Sequence, residues 1–268
     1  MLKLSANLSF LFPELPFLER FAAASKAGFQ GVEFMFPYEY DADQLLARLQ
    51  AHDLELVLFN LPAGDWASGE RGIAALPGRE LEFRAGVERA GQLAKKLGAR
   101  RLNALAGLHP TDVDGAAMTA TLVANLRWAA DFLAPLGITL LAEPINSRID
   151  MPRFWLDTSE KAVDLLAQVA HDNFCLQFDV YHMAVMAQQP GGEICLLDEL
   201  LPTVAHIQIA DHPGRHQPGT GEIDFGAVFD LLDRRGYAGW IGCEYRPQGE
   251  TTDSLRWAHQ KGLLRSAT

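Results

Sequence analysis

Short, strongly apolar runs alternate along the chain with longer runs in which apolar residues recur every three or four positions. The short runs predict buried β-strands, and the longer runs predict helices that pack through one face. No Ser/Gly-rich linker and no block of like charges interrupts this alternation. The short runs predict eight strands, at Lys3 to Leu8, Gly31 to Phe34, Glu55 to Asn60, Arg101 to Ala106, Ile138 to Glu143, Phe174 to Asp179, Val204 to Ala210 and Gly239 to Glu244.

The longer runs predict a helix after each strand, and their ends carry capping signals. A glycine just past an apolar-periodic run predicts a left-handed C-terminal cap, and an Asp or Thr just before one predicts an N-cap. These residues are Gly28, Gly98, Gly137 and Gly236 at the C-terminal ends and Asp41, Thr158 and Asp224 at the N-terminal ends. The predicted helices span residues 15–28, 41–53, 78–98, 115–137, 158–170, 224–236 and 252–264, with a looser helical stretch over 181–201.

Strict alternation of strands and helices predicts an α/β fold with parallel strands joined by right-handed crossovers. Eight such units close most naturally into a (β/α)₈ barrel, and a single domain over residues 1–268 matches the usual size of that fold. The alternative is an open doubly wound sheet, which often has a Gly-rich phosphate-binding turn after its first strand. That turn is absent from this sequence, so we expect the barrel.

Composition and charge exclude several classes of protein. With 49% hydrophobic and 21% charged residues, the chain is typical of soluble globular proteins, not of disordered or fibrous ones. A net charge of −11 disfavours nucleic-acid binding, and the three cysteines form no CxxC pair. The N-terminal residues resemble a strand more than a signal peptide, and no run approaches the roughly 20 apolar residues of a membrane helix. We therefore expect a cytoplasmic protein that binds neither nucleic acid nor membranes.

Polar side chains end four consecutive predicted strands, where barrel enzymes build their active sites. Because side chains alternate along a strand, these four residues should all point into the barrel. Several carboxylates aimed at one point repel one another unless a cation lies between them. Carboxylate and carboxamide oxygens suit a hard ion, so the pattern predicts one Mg²⁺ or Mn²⁺ bound by Glu143, Asp179, Gln208 and Glu244. The alternative is that these residues cap helices or pair with Arg148, Arg215 or Arg246.

Several long segments resemble the hydroxypyruvate isomerase family of xylose isomerase-like barrels, and the resemblance covers nearly the whole chain. The segments are NLSFLFPELPFLERFAAASKAGFQGVEFMFPYEY, VLFNLPAGDW, EPIN, FDVYH, HIQIADHPGRHQPGTGEIDF and GWIGCEYRP. The resemblance implies that Glu143, Asp179, Gln208 and Glu244 ligate the metal. It also implies that Glu143 and Glu244 form the acid/base pair, and that the protein is a homo-oligomer.

The expected reaction is isomerisation of a small α-hydroxycarbonyl acid, from hydroxypyruvate to tartronate semialdehyde, by proton transfer through an enediolate. Related barrels that act on larger ketoses commonly have His-x-His where this chain has His206-Ile207-Gln208. Gln208 therefore favours the hydroxypyruvate isomerase branch. The same branch contains 2-oxotetronate isomerases with an almost identical pattern, so both substrates remain open.

Four further residues are expected to contact the substrate or orient the site. His182 follows the sixth strand and could hydrogen-bond a substrate oxygen, and Arg215 could bind the substrate carboxylate through a bidentate pair. Asn7 faces inward at the end of the first strand, and His206 faces inward below Gln208. Structural roles compete for each of them, and the alternative for Arg215 is a solvated loop arginine. Glu33, Asn60 and Asn103 also face inward and either line the pocket floor or belong to buried hydrogen-bond networks of the barrel. Phe12 and Trp66 in the loops either cover the site as lids or pack against the protein.

Three other functions compete with the isomerase. The first is epimerisation of a ketose at C3, which uses the same metal and acid/base pair. The second is an abasic-site endonuclease, which would use several metals, a basic groove and histidines such as His109, His182, His212 and His216. The third is a noncatalytic barrel that binds a sugar acid. Gln208 argues against the first function, the acidic charge against the second, and the full set of ligands against the third.

Overall fold

The computed structural model describes residues 2–264, and within them the chain forms eight parallel strands in a closed barrel with the order β1-β2-β3-β4-β5-β6-β7-β8. The predicted (β/α)₈ fold is confirmed. The strands are Lys3–Asn7 (β1), Gly31–Phe34 (β2), Glu55–Asn60 (β3), Arg101–Ala104 (β4), Thr139–Ala142 (β5), Phe174–Asp179 (β6), Val204–Ile209 (β7) and Trp240–Cys243 (β8).

The helices of the same residues 2–264 lie between and after these strands. They are Arg20–Lys26 (α1), Ala42–Ala51 (α2), Glu80–Leu97 (α3), Gly115–Leu133 (α4), Ser159–Val169 (α5), Val180–Met186 (α6), Gly192–Leu200 (α7), Phe225–Arg234 (α8), Thr251–Ser254 (α9) and Arg256–Gln260 (α10). Short 3₁₀ turns precede α1 and β7 and follow α4. No helix in this part of the chain combines the length and apolar character needed to cross a membrane.

All three predicted N-caps are confirmed by side-chain hydrogen bonds. Asp41 accepts from the backbone N–H groups of Asp43 and Gln44. Thr158 accepts from the N–H of Lys161, and Asp224 from the N–H of Ala227. The four predicted C-terminal glycines, Gly28, Gly98, Gly137 and Gly236, all have positive φ.

Two predicted helices are divided in the structure. The stretch 181–201 forms α6 and α7, separated by the sequence Gln189-Pro190-Gly191, because proline lacks an N–H and Gly191 adopts a left-handed conformation with φ 79°. The predicted helix 252–264 forms α9 and α10, which meet at Leu255. Several strands also end earlier than predicted. Beyond the end of β4, the carbonyls of Leu105 and Ala106 accept from Ala74 and Ala75 instead of from a neighbouring strand.

The chain divides into two compact units, which are described separately. The terminal unit consists of the described parts of 1–57 and 178–268, and the central unit of Leu58–Gln177. In the central unit α3 packs on α4 and α4 on α5, while Asn103 of β4 lies opposite Leu141 of β5. The organisation of residues 1–268 as a single domain stays a prediction.

In the terminal unit, the register places small residues beside a buried carboxylate. Gly242 of β8 lies opposite Ser5 of β1 and Gln208 of β7, and Glu33 of β2 lies opposite Asn7 of β1. A Cβ atom on Gly242 would lie 2.3 Å from Oε1 of Glu33 and 2.5 Å from Oε2. The Glu33 carboxylate therefore occupies the space that a side chain at position 242 would need.

We predict that Gly242→Ala destabilises the protein by about 1–3 kcal/mol, because the new methyl group overlaps a carboxylate that four other residues hold in place. Chemical denaturation of the wild type and the variant measures the change. Gly192→Ala is the matched control, because its Cβ would meet only the Cβ of Ala187, at an ordinary 3.5 Å. Equal stability of Gly242→Ala and wild type would contradict the packing described here.

Candidate active site

Asp179 ends β6 and begins α6, and its side chain is fully buried. Its Oδ1 accepts a 2.9 Å hydrogen bond from the N–H of Tyr181. Its Oδ2 lies 3.6 Å from Nε2 of His182 and 3.8 Å from Nη2 of Arg215. An aspartate suits this position because the last residue of β6 is also the N-cap of α6, where a side-chain oxygen accepts from the first turn of the helix.

Glu244 follows β8 and contacts three donors. Its Oε1 lies 2.5 Å from Nη2 of Arg215. Its Oε2 accepts hydrogen bonds from the side-chain amides of Asn7, at 2.8 Å, and Gln208, at 2.6 Å. These charge-assisted contacts hold the carboxylate in one orientation.

Arg215 connects Asp179 and Glu244, although it belongs to the loop after β7. The residue is only 8% exposed, and its guanidinium lies 4.9 Å from the ring centroid of Phe10 and 5.1 Å from that of Tyr181. Its Nη2 also lies 3.5 Å from Nε2 of His182. The alternative of a solvated loop arginine is therefore wrong. Two aromatic rings and two carboxylates fix this cation at the site.

Asp211 organises the loop that carries Arg215. One carboxylate oxygen accepts from the backbone N–H groups of His212 and Ile223, and the other from those of Gly219, Thr220 and Gly221. The carbonyl of Asp211 also accepts from the N–H of Arg215. Five backbone donors thus close the loop around one buried side chain.

Gln208 and Asn7 join two carboxylates through their amide nitrogens. Nε2 of Gln208 donates to Glu33, at 2.7 Å, and to Glu244, at 2.6 Å. Nδ2 of Asn7 donates to the same two carboxylates, at 3.3 Å and 2.8 Å, while its Oδ1 accepts from the N–H of Ser9. Each bridging nitrogen therefore reaches both Oε1 of Glu33 and Oε2 of Glu244.

Glu33 is fully buried, and it also accepts a hydrogen bond from Ser5 Oγ at 2.8 Å. His206, which is fully buried as well, places Nε2 2.8 Å from Oε2 of Glu33. Burial raises the pKa of Glu33, but the His206 imidazole and the hydrogen bonds from Gln208 and Ser5 outweigh it and bring this pKa below its ordinary value. Glu33 is therefore a carboxylate at neutral pH and can only accept hydrogen bonds.

His182 lies on the first turn of α6, beside Asp179 and Arg215. Burial lowers its pKa well below the ordinary value, and the positive charge of Arg215 lowers it further. The imidazole is therefore neutral near pH 7. A neutral imidazole offers one donor and one acceptor nitrogen, so it can bind a substrate oxygen without adding charge.

Glu143 belongs to the central unit and follows β5. Its side chain is 5% exposed, and it accepts a 3.1 Å hydrogen bond from Nδ2 of Asn103. The same nitrogen donates to Oδ1 of Asn60, at 3.2 Å. Asn60 and Asn103, which were expected either to line the pocket floor or to serve the barrel's own network, thus support this carboxylate.

The structure brings three of the four predicted metal ligands into one contact network. Asp179 and Glu244 share Arg215, and Gln208 donates to Glu244. These ligands offer buried oxygen atoms without a thiolate among them, and the carboxylates of Glu33, Asp179 and Glu244 exceed the charge of the one guanidinium. This donor set fits a hard divalent cation.

Parts of the competing interpretation are also present in the structure. Asp179 caps α6 and Glu244 pairs with Arg215, as expected if the acidic residues at the strand ends serve as helix caps or ion-pair partners. A carboxylate oxygen has two lone pairs, so these contacts are compatible with a metal bond. Arg148 and Arg246, the other two arginines of that alternative, are exposed.

Phe12 is buried in the core and donates its N–H to Thr251 Oγ1. Phe12 is therefore a core residue and not a lid.

Asp211 and Gly242 were not predicted from the sequence as residues that shape the site. Asp211 carried a signal, because it directly follows the predicted strand Val204 to Ala210 and precedes the turn-rich sequence HPGRHQPGTG, whose backbone N–H groups need acceptors. Gly242 carried a weaker one, because a glycine inside a strand often marks the close approach of another group.

The chain is similar in sequence to a barrel family and to known isomerases. The family model described as xylose isomerase-like TIM barrel matches residues 21–261, and the resemblance inferred from the motifs is confirmed. Hydroxypyruvate isomerase from Escherichia coli K12 is 48% identical over 258 residues, which cover 96% of this chain and 98% of that protein. The 2-oxo-tetronate isomerase of Cupriavidus necator is 45% identical over 258 residues, covering 96% and 97%.

A crystal structure of AP endonuclease, family 2 from Brucella melitensis superposes on this chain with a TM-score of 0.93. The two are 45% identical, and the match covers 97% of this chain and 99% of the other.

We predict that Asp211→Asn loosens the loop over residues 212–223, because an amide replaces one acceptor oxygen with a donor that faces backbone N–H groups. Loss of these acceptors should lower the local free energy of opening by about 1–3 kcal/mol. Hydrogen exchange measured by mass spectrometry should show faster exchange in this segment, with Asp233→Asn on α8 as the control. Unchanged protection of 212–223 in Asp211→Asn would contradict the role of this carboxylate.

Proposed function

Because the chain belongs to the xylose isomerase-like TIM barrel family, we propose that it isomerises a small α-hydroxycarbonyl acid, converting hydroxypyruvate to tartronate semialdehyde. The observation that carries this proposal is the buried network of Asp179, Gln208, Arg215 and Glu244, which combines metal-binding oxygens with one guanidinium. The 48% identity to the Escherichia coli hydroxypyruvate isomerase over nearly the full length supports it.

Glu143, Asp179, Gln208 and Glu244 would hold one divalent ion, Mg²⁺ or Mn²⁺. The pairing of β5 with β6 supports the inclusion of Glu143, because Leu141 lies opposite Cys175 and side chains two residues apart share a face. Glu143 follows Leu141 by two residues, so its side chain belongs to the face that Leu141 shares. The bound ion would stabilise negative charge on the substrate oxygens during proton transfer.

Glu143 and Glu244 are the proposed acid/base pair. One carboxylate removes a proton from the hydroxymethyl carbon of hydroxypyruvate and leaves an enediolate. The other group returns a proton to the neighbouring carbon, which had been the ketone carbon, and the hydroxyl hydrogen moves between the two oxygens. The product has the same atoms as the substrate, and neither an oxidant nor a reductant takes part.

Arg215 is the proposed partner of the substrate carboxylate, and His182 of a substrate hydroxyl or carbonyl oxygen. Arg215 has a fixed guanidinium plane between two aromatic rings, which suits recognition of a planar carboxylate. The neutral state of His182 suits hydrogen bonding to an uncharged oxygen. Asn7 and His206, which contact Glu244 and Glu33, are proposed to orient these groups around the substrate.

A 2-oxotetronate is the second candidate substrate, because the Cupriavidus necator 2-oxo-tetronate isomerase is 45% identical to this chain. This substrate has the same α-hydroxycarbonyl and carboxylate groups, so the same residues serve both reactions. Epimerisation of ketoses at C3 and metal-dependent hydrolysis of DNA are distinguished from isomerisation by assaying several substrates. A homo-oligomer stays a prediction.

We predict metal-dependent turnover of hydroxypyruvate, of a 2-oxotetronate or of both, and none of free ketoses or abasic-site DNA. Purified protein is incubated with each substrate, and products are separated by chromatography before and after EDTA treatment. EDTA should abolish turnover, and added Mn²⁺ or Mg²⁺ should restore it. Turnover of ketoses alone would replace the proposal with an epimerase, and EDTA-resistant turnover would contradict the metal.

We predict that Glu143→Gln and Glu244→Gln each lower kcat by about 10²- to 10⁴-fold, because an amide cannot exchange a proton with the substrate carbon. Both variants should keep the circular dichroism spectrum of the wild type. Glu88→Gln on the exposed side of α3 is the control and should keep full activity. Near-normal turnover by either active-site variant would count directly against its assigned role.

A further inference from the structure

Glu33 contacts four polar side chains of the terminal unit, yet the proposed reaction assigns it no role. It accepts from Ser5, Asn7 and Gln208, lies 2.8 Å from His206, and is fully buried. A buried carboxylate requires compensation by several donors, and these come from both β1 and β7. We infer that Glu33 is a positioning residue, which fixes the Gln208 amide with its oxygen toward the metal and steadies Glu244.

Two hydrogen bonds fix the direction of the Gln208 amide. Its nitrogen donates to Oε1 of Glu33, at 2.7 Å, and to Oε2 of Glu244, at 2.6 Å. Both N–H bonds are thereby used, so the oxygen is the atom that Gln208 can offer to a cation. A flipped amide would aim its oxygen at two carboxylates and its nitrogen at the cation, which is unfavourable on both sides.

Asn7 extends the same constraint to Glu244. The N–H of Ser9 fixes the Asn7 oxygen at 3.0 Å, which orients the amide independently of the carboxylates. Its nitrogen then donates to the same oxygens of Glu33 and Glu244 that Gln208 contacts. Two carboxylate oxygens and two amide nitrogens therefore form a closed ring, in which displacement of Glu33 also moves the donors of Glu244.

Gly242 supports a specific position for this carboxylate. The space beside β8 is open only because position 242 has no side chain, and the Glu33 carboxylate fills it. Ser5 and His206 contact the Oε2 atom of Glu33 and hold this oxygen in place. Glu33 is therefore fixed from four neighbouring strand positions, as a residue that orients others must be.

The test uses Mn²⁺ affinity, measured by isothermal titration and by the electron paramagnetic resonance of free Mn²⁺. Glu33→Gln keeps the shape of the side chain but introduces a donor and removes the charge. We expect its Kd for Mn²⁺ to rise about 10- to 100-fold, the usual effect of losing a group that orients a metal ligand. The kcat at saturating Mn²⁺ should change less than the Kd.

A double-mutant cycle distinguishes action through Gln208 from a general loss of affinity. In a Gln208→Ala background, Glu33→Gln should change the Kd for Mn²⁺ by less than about threefold, because the amide that Glu33 orients is gone. Fully additive effects on the Kd would overturn the inference.

Two further variants keep the test decisive. Ser5→Ala removes one donor to Glu33, and it should raise the Kd about two- to fivefold even if Glu33→Gln does not fold. Asn125→Ala on α4 removes a buried hydrogen bond to the carbonyl of Ala74, so it should lower stability without changing the Kd. If Ser5→Ala leaves the Kd unchanged while Glu33→Gln does not fold, Glu33 has only a structural role.

This inference rests on the proposed metal site, and the wild type separates the two. Wild-type protein that binds no Mn²⁺ would overturn the metal site and this inference together. Wild-type binding with an unchanged Kd in folded Glu33→Gln would overturn the inference alone.

Discussion

Two buried carboxylates bridged by shared amide donors are the constraint from which the rest of the site follows. Glu33 and Glu244 would repel each other in a medium of low polarity, and burial alone would favour their neutral forms. The nitrogens of Asn7 and Gln208 lie between them and donate to both. Because the amide nitrogens of Asn7 and Gln208 donate to the carboxylates, the direction of the two amide oxygens is also determined. An arrangement built for charge compensation therefore also selects which atoms face a ligand.

In the loop after β7, one carboxylate likewise accepts from several donors, which here are backbone N–H groups. Asp211 collects five N–H donors from a segment rich in glycine and proline, and the loop then presents Arg215 against Glu244 and Asp179. Arg215 itself adopts a left-handed backbone conformation, with φ 57°, which an arginine rarely occupies without surrounding support. A side chain of the strand end thus stabilises a loop geometry that local sequence preferences do not favour. The result is a cation at a defined position on an otherwise irregular segment.

Much of the fold could be predicted from the sequence, because strands, helices and caps depend on local patterns. β2, β3 and β6 begin and end as predicted, and Asp41, Thr158 and Asp224 cap the expected helices. The side-chain alternation of β7 and β8 likewise brought Gln208 and Glu244 to one network. The contacts of Glu33 and Asp211 could not be predicted, because they join residues distant in sequence and depend on register and loop path. The break within residues 181–201 differs, because it has a local signal in Pro190-Gly191, which disfavours a continuous helix.

The missing side chain at Gly242 also limits how such a site can diversify. At that level the interior next to β8 is already filled by a carboxylate that reaches over from β2. A larger residue at 242 would overlap a glutamate at 33, so a side chain at 242 requires a smaller or displaced side chain at 33. A change in the shape of the substrate is therefore accommodated more easily by the loops beyond the strand ends than at these two packed positions.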